Sequence, residues 1–169
     1  MDKDGFKRKL TTIFSADAVG YSKLMGEDEA ATVQTIKAYQ KIIGDLINQY
    51  HGRVVDSPGD NLLAEFTSVV DAVESAVAIQ KELKNKNAEL PENRRMEFRI
   101  GINLGDVVAE GDDLLGDGVN IAARLDALAP AGRARSGARP LRYHSPRSRG
   151  NQRQDHRRQG RRSRYPARC

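Results

Sequence analysis

Apolar residues recur along this chain with two different periods, and the switches between them lay out its elements. Residues 9–16 hold Leu10, Thr11, Thr12, Ile13 and Phe14, a β-branched and aromatic run that suits a buried strand, with Asp17 at its end. Glu27, Asp28 and Glu29 follow, acids suited to the positive end of a helix dipole. Val33, Ile36, Ile43, Leu46, Ile47 and Tyr50 then recur at helical spacing as one stripe, which His51 and Gly52 end. This predicts a long helix facing the core.

Residues 53–56 and 62–66 are short apolar runs on either side of Ser57-Pro58-Gly59-Asp60. They predict a β-hairpin with Pro58 and Gly59 as the central pair of a type II turn and Asp60 just past its tip. Ser68 and Asp71 have the spacing of a capping box, and Val69, Val73, Ala76, Val77 and Leu83 form the next helical stripe. Residues 84–95 are polar, include Pro91 and read as a loop. Phe98, Ile100, Ile102 and Leu104 alternate with Arg99, Gly101 and Asn103, a strand with two distinct faces. Gly105-Asp106 is expected to turn it into a second strand over residues 107–110. Residues 118–128 read as a helix with Val119, Ala122, Ala123, Leu125 and Leu128 as its apolar positions. The order β α β β α β β α predicts an α+β domain, antiparallel pairing with helices packed on one sheet. No internal repeat is present.

With 169 residues and 38% apolar content, the chain can bury one core. Its net charge of +5 conceals two unlike parts. Residues 131–169 hold 13 of the 28 basic residues and a single acid, Asp155, so they carry +12 and leave −7 for residues 1–130. The sequence therefore divides into an N-terminal tail (1–8), a domain (9–130) and an arginine-rich tail (131–169). Cys169 is the only cysteine, which excludes an intramolecular disulfide and favours a reducing compartment. Charges fill the first nine residues where a signal peptide needs an apolar run, and no uncharged stretch approaches membrane-spanning length. A cytoplasmic protein without a membrane segment is expected.

Two groups of residues suggest chemistry. Asp17 and Asp60 bring carboxylates from separate strands, which together can hold a divalent cation. Asn120 and Arg124 are spaced i, i+4 on a helix and can reach a phosphate from one face. Singly, each has a plainer reading, since aspartate favours turns and an arginine is usually a surface cation. Jointly they outline a phosphoryl-transfer site.

The segments Phe14-Ser15-Ala16-Asp17-Ala18-Val19-Gly20-Tyr21-Ser22, Pro58-Gly59-Asp60 and Gly116-Asp117-Gly118-Val119-Asn120-Ile121-Ala122-Ala123-Arg124, in this order and at these separations, resemble the class III adenylate/guanylate cyclase catalytic domain. The resemblance runs from about Lys9 to Leu128. It implies a ferredoxin-like α+β domain, the nucleotide cyclase fold, that acts as a homodimer with its active site shared across the interface. It further implies conversion of ATP or GTP to the 3′,5′-cyclic nucleotide and pyrophosphate with two Mg²⁺ or Mn²⁺ ions. By the same resemblance Asp17 and Asp60, with the carbonyl of Ala18, are the metal ligands, and hard cations suit such oxygens. Asn120 orients the ribose, and Arg124 neutralises charge building on the α-phosphoryl group. Asp113 matches the aspartate that reads the purine edge. Its usual companion is a lysine, and here that place is Asp56, which can accept from guanine but cannot donate to adenine. The purine therefore stays open. So does the alternative of a catalytically silent cyclase-homology module for dimerisation or regulation.

Beyond Leu128 the resemblance is not followed further. The tail has no lysine, whereas residues 1–130 have nine, and its composition predicts disorder. Two readings stay open. A frame shifted by one base lets residues 149–159 spell GETSVKTIADK, which looks like part of a cyclase C-terminal region. Alternatively the arginines bind nucleic acid or another polyanion by counterion release, with only Tyr143 and Tyr165 available for stacking.

Overall fold

A computed structural model describes residues 7–137. Strand β1 (Lys7–Ala18) is followed by α1 (Tyr21–Glu27), α2 (Glu29–Gln49), β2 (Gly52–Asp56), β3 (Asn61–Phe66), α3 (Val69–Ala88), β4 (Phe98–Glu110), β5 (Asp113–Leu115), α4 (Asp117–Leu128) and β6 (Ala134–Ser136). The sheet order is β2-β3-β1-β4-β5, antiparallel throughout, with β6 added parallel to β4. This is an α+β fold, as the sequence predicts. β5 pairs with the end of β4 and β6 with its beginning, so both share the β4 edge that faces away from β1.

The two faces of β1 belong to different layers because side chains alternate along a strand. Phe14, Ala16 and Ala18 pack with Ile36 and Ile43 of α2 and Ile79 and Leu83 of α3. Ile13 instead packs with Val107, Leu114 and Ala122 on the α4 side. The helix entries follow from local hydrogen bonding. Asp28 accepts from Ala31 N at 3.0 Å to begin α2, and Ser68 Oγ accepts from Asp71 N at 3.2 Å to begin α3. At the end of α2 it is His51, at φ 62°, that takes the left-handed position, ahead of Gly52.

Several local expectations change. Gly105 and Asp106 do not form a turn. They pair with Thr11 and Leu10 inside the ladder that joins β1 to the whole of β4, a single strand of 13 residues. The glycine at 105 gives clearance instead, since a Cβ there would lie 3.1 Å from Asn103 Nδ2 and 3.4 Å from Gly118 Cα. At the β2–β3 connection, Asn61 N donates to Pro58 O at 3.0 Å, so Gly59 and Asp60 are the central pair and Asp60 is within the tip. α3 runs on to Ala88, past the start of the predicted loop at residue 84. Asn87 holds that end: its Oδ1 accepts from Tyr39 OH (2.8 Å) and Met96 N (3.0 Å), and its Nδ2 donates to Met96 O (2.8 Å). The predicted stripes of α3 and α4 are also turned from the observed ones. Val77 and Leu128 are each 63% exposed, and α4 buries Gly118, Ala122 and Asp126. Finally, β6 extends the ordered fold past residue 130, where the sequence reading ended the domain. Residues 138–169, and with them the expected disorder and both readings of the tail, lie outside the described residues.

Candidate active site

The site begins where β1 leaves the sheet. Ile13, Ser15 and Asp17 share the face toward α4, and Asp17 is opposite Asn61 on one side and Arg99 on the other. The β2–β3 turn folds onto this end of the strand. Ala18 N donates to Asp60 O at 3.2 Å, and Gln40 Nε2 of α2 donates to Gly59 O at 2.9 Å, which steadies the tip. Asp17, Ala18 and Asp60 are thereby brought together.

The electrostatics of this corner call for positive charge. The Asp60 carboxyl is held above its ordinary value, by burial first and by the neighbouring Asp17 carboxylate as well, while its own backbone amide and Arg99 pull the other way. Arg99 answers part of that demand. Its Nη2 donates to Asp17 Oδ2, and its Nη1 donates to Ala127 O at the end of α4, 3.2 Å away. Two carboxylates with an adjacent main-chain carbonyl form an all-oxygen donor set suited to Mg²⁺ or Mn²⁺, which keep several waters when bound. No group of three or more His, Cys, Asp or Glu residues arranged to hold a metal occurs among the described residues.

Asn120 and Arg124 stand elsewhere. Both are exposed on the outer face of α4, opposite the stripe of Gly118, Ala122 and Asp126 that meets the sheet. They share a face with each other but not with the two aspartates. Asp56 ends β2 exposed, and its Oδ1 accepts from Ser57 N at 2.8 Å. Asp113 is exposed at the start of β5. Arg53 draws these strands toward each other, its two terminal nitrogens each 3.3 Å from Asp112 O while Nη2 also meets Glu65 Oε1 at 2.8 Å.

Two polar residues of this region escaped the sequence reading. Arg99 stands on the polar face of its strand, and the alternation of residues 98–104 is the signal that singles it out. Asp126 accepts a 2.6 Å hydrogen bond from Ser15 Oγ and is only 4% exposed. Its position among apolar neighbours two residues from Arg124 was the only hint.

The chain matches the family described as the adenylate and guanylate cyclase catalytic domain over residues 7–155. It belongs to that family. The matched span continues past Leu128, the end of the resemblance read from the sequence. Among relatives, "Putative adenylate cyclase 3" of Rhizobium meliloti is 46% identical over 133 residues, covering 78% of this chain and 23% of that protein. An adenylate cyclase of Streptomyces coelicolor is 30% identical over 132 residues, covering 76% of this chain and 32% of the relative. The cyclase domain thus spans less than a third of either relative. Among solved structures, an adenylate/guanylate cyclase/hydrolase from Silicibacter pomeroyi superposes with a TM-score of 0.71 at 38% identity, covering 76% of each chain. No helix among the described residues of this cyclase domain is long and apolar enough to cross a membrane.

Proposed function

We propose that this chain converts ATP or GTP to the 3′,5′-cyclic nucleotide and pyrophosphate, in a homodimer that joins Asp17 and Asp60 of one copy to Asn120 and Arg124 of the other. The observation that carries this reading is the division of the site. The paired carboxylates lie at the sheet end beneath α4, whereas Asn120 and Arg124 point outward from it. A second copy is what would bring the two halves together. Exposed Leu104, Leu115 and Ile121 line one cleft and supply apolar surface of the kind an interface core uses.

In this reading Asp17, Asp60 and the Ala18 carbonyl would hold two divalent ions, which when bound would supply Lewis acidity for the 3′-hydroxyl and positive charge for the phosphates. Asn120 orients the ribose by hydrogen bonding. Arg124 presents a permanently charged, rigid fork of donors to the α-phosphoryl oxygens as negative charge builds there. Asp113 accepts from the exocyclic amine of the base, and Asp56, an acceptor where the resemblance implies a lysine, leaves guanine as well as adenine open.

The test is production of cyclic AMP and cyclic GMP by the purified 169-residue chain with Mn²⁺ and each nucleotide. Turnover that disappears in Asp17→Ala is the expected result. Absence of turnover with both nucleotides, in a protein that still dimerises, would replace this reading with that of a silent cyclase-homology module.

A further inference from the structure

α4 meets the sheet through Gly118, Ala122 and Asp126, three positions at intervals of four on one face. The contact is too close for larger side chains. A Cβ on Gly118 would lie 2.9 Å from Ile13 Cδ1, and one on Gly101, beneath the helix, would lie 2.2 Å from Ala122 O and 2.5 Å from Asp126 N. Surfaces this small approach closely but interlock weakly, because ridges and grooves need side chains to form them. On this face the interlocking is left to few side chains, Val119 at the margin against Ile13 and Val107 and Leu125 beside Gly101.

The third position breaks the pattern. Where another small or aliphatic residue would continue the stripe, Asp126 is buried, and its Oδ2 accepts from Ser15 Oγ at 2.6 Å. Ser15 is opposite Gly101 in the β1–β4 ladder, so hydroxyl and bare glycine together form the seat. Burial is the leading influence on this carboxyl and holds it above its ordinary value, so the group gains the domain little stability. What a short directional hydrogen bond adds is a single register. At the other end of the helix, Asn103 Nδ2 donates to Gly118 O at 3.2 Å.

We propose that Asp126, seated on Ser15, is a positioning residue that sets the register of α4 and thereby the placement of Asn120 and Arg124. The proposal rests on the cyclase reading of that pair. In this proposal Asp126, whose carboxyl also feels the charges of Asp17 and Arg99, acts through the helix that carries Asn120 and Arg124. A slip of one residue would turn α4 by about 100° and shift it about 1.5 Å, which takes both side chains off their target. Misplacement of about 1 Å is enough to lower turnover about 100-fold.

Three variants of the full chain test this: Ser15→Ala, Asp126→Ala and Asp126→Asn, the last keeping size and an acceptor oxygen. Nucleotide turnover with Mn²⁺ and amide hydrogen exchange are measured on each. Ser15→Ala and Asp126→Ala are expected to lower kcat by about tenfold or more with KM changed by less than about threefold. Exchange should quicken in α4 and not in α2. Asp126→Asn should restore kcat to within about threefold of the parent, and Ser15→Ala combined with Asp126→Ala should be no worse than the poorer single variant. Unchanged kcat in folded Ser15→Ala and Asp126→Ala would overturn the proposal, as would a loss that Asn does not rescue or exchange that quickens equally in α2. Should Asp126→Ala not fold, Ser15→Ala carries the same comparison. A parent chain without turnover overturns the cyclase reading and this catalytic role with it, whereas an active parent with α4 exchange unaltered in the variants overturns the positioning role alone.

Discussion

Arg99 donates through Nη2 to Asp17 Oδ2 from the directly opposing position on the neighbouring strand, so the carboxylate proposed to bind metal already has a cation beside it. The pair is mostly shielded from solvent, with side-chain exposures of 28% and 19%. A divalent ion arriving at Asp17 competes with this guanidinium. Arg99→Ala is therefore expected to tighten Mn²⁺ binding in the absence of nucleotide by several-fold, equivalent to about 1 kcal/mol. Titration followed by electron paramagnetic resonance of free Mn²⁺ measures this, and weaker binding in the variant would show that Arg99 supports the ion rather than competing with it.

Asn120 and Arg124 are exposed on α4, so their loss should be felt in activity and not in stability. Asn120→Ala and Arg124→Ala are expected to lower turnover by about 100-fold or more while unfolding free energy stays within about 0.5 kcal/mol of the parent. Because the halves of the proposed site come from different copies, inactive Asp17→Ala mixed with inactive Arg124→Ala should regain turnover as mixed dimers form. Mixtures that remain inactive despite subunit exchange would mean that one copy does not complete the other.

Glu65 is the centre of an ion-pair cluster, with Lys9 Nζ 2.7 Å and Arg53 Nη2 2.8 Å from its oxygens. Burial pushes its carboxyl up, but the hydrogen bonds and charges of Lys9 and Arg53 outweigh this and leave it below the ordinary value. Such a group contributes stability that is full above its unfolded-state pKa and disappears as pH falls through the lower folded-state value. Glu65→Gln is expected to cost about 2 kcal/mol at neutral pH and less as the pH falls into the acid range. Chemical denaturation at a series of pH values gives the comparison; a cost independent of pH would assign the effect to packing alone.

Gly101 has no space for a side chain, because the nearest atoms to an added Cβ are backbone atoms of α4 that cannot rotate away. Gly101→Ala should therefore displace α4, destabilise the domain by about 1–3 kcal/mol and reduce turnover along with it. Retained stability, measured by denaturant unfolding, would show that the helix shifts without loss.

Much of this arrangement was readable from residue order. The alternation in residues 98–104 announced β4, and the acids at a strand end and a turn pointed to the corner proposed to bind metal. The misreadings have a shared origin. Gly105-Asp106 resembles a turn locally, but the unbroken pairing of β4 with β1, a contact between residues nearly a hundred positions apart, outweighs local preference. On α3 and α4 the apolar stripe does not mark the buried face, because several apolar residues there, Val77 and Leu128 among them, stay exposed, while Ser75 and Asp126 go inside.

The sequence by itself determined the long helices, the β2–β3 hairpin, the start of β4 and the antiparallel α+β class, because periodicity and turn chemistry act over a few residues and leave a local imprint, while the order of its motifs pointed to the family. Only the tertiary structure decided that Arg99 sits on Asp17, that Asp126 is buried against Ser15, and that Asn120 and Arg124 face away from the acids of their own chain. Each of these depends on which strands lie side by side and how α4 is turned on them, and long-range packing sets both.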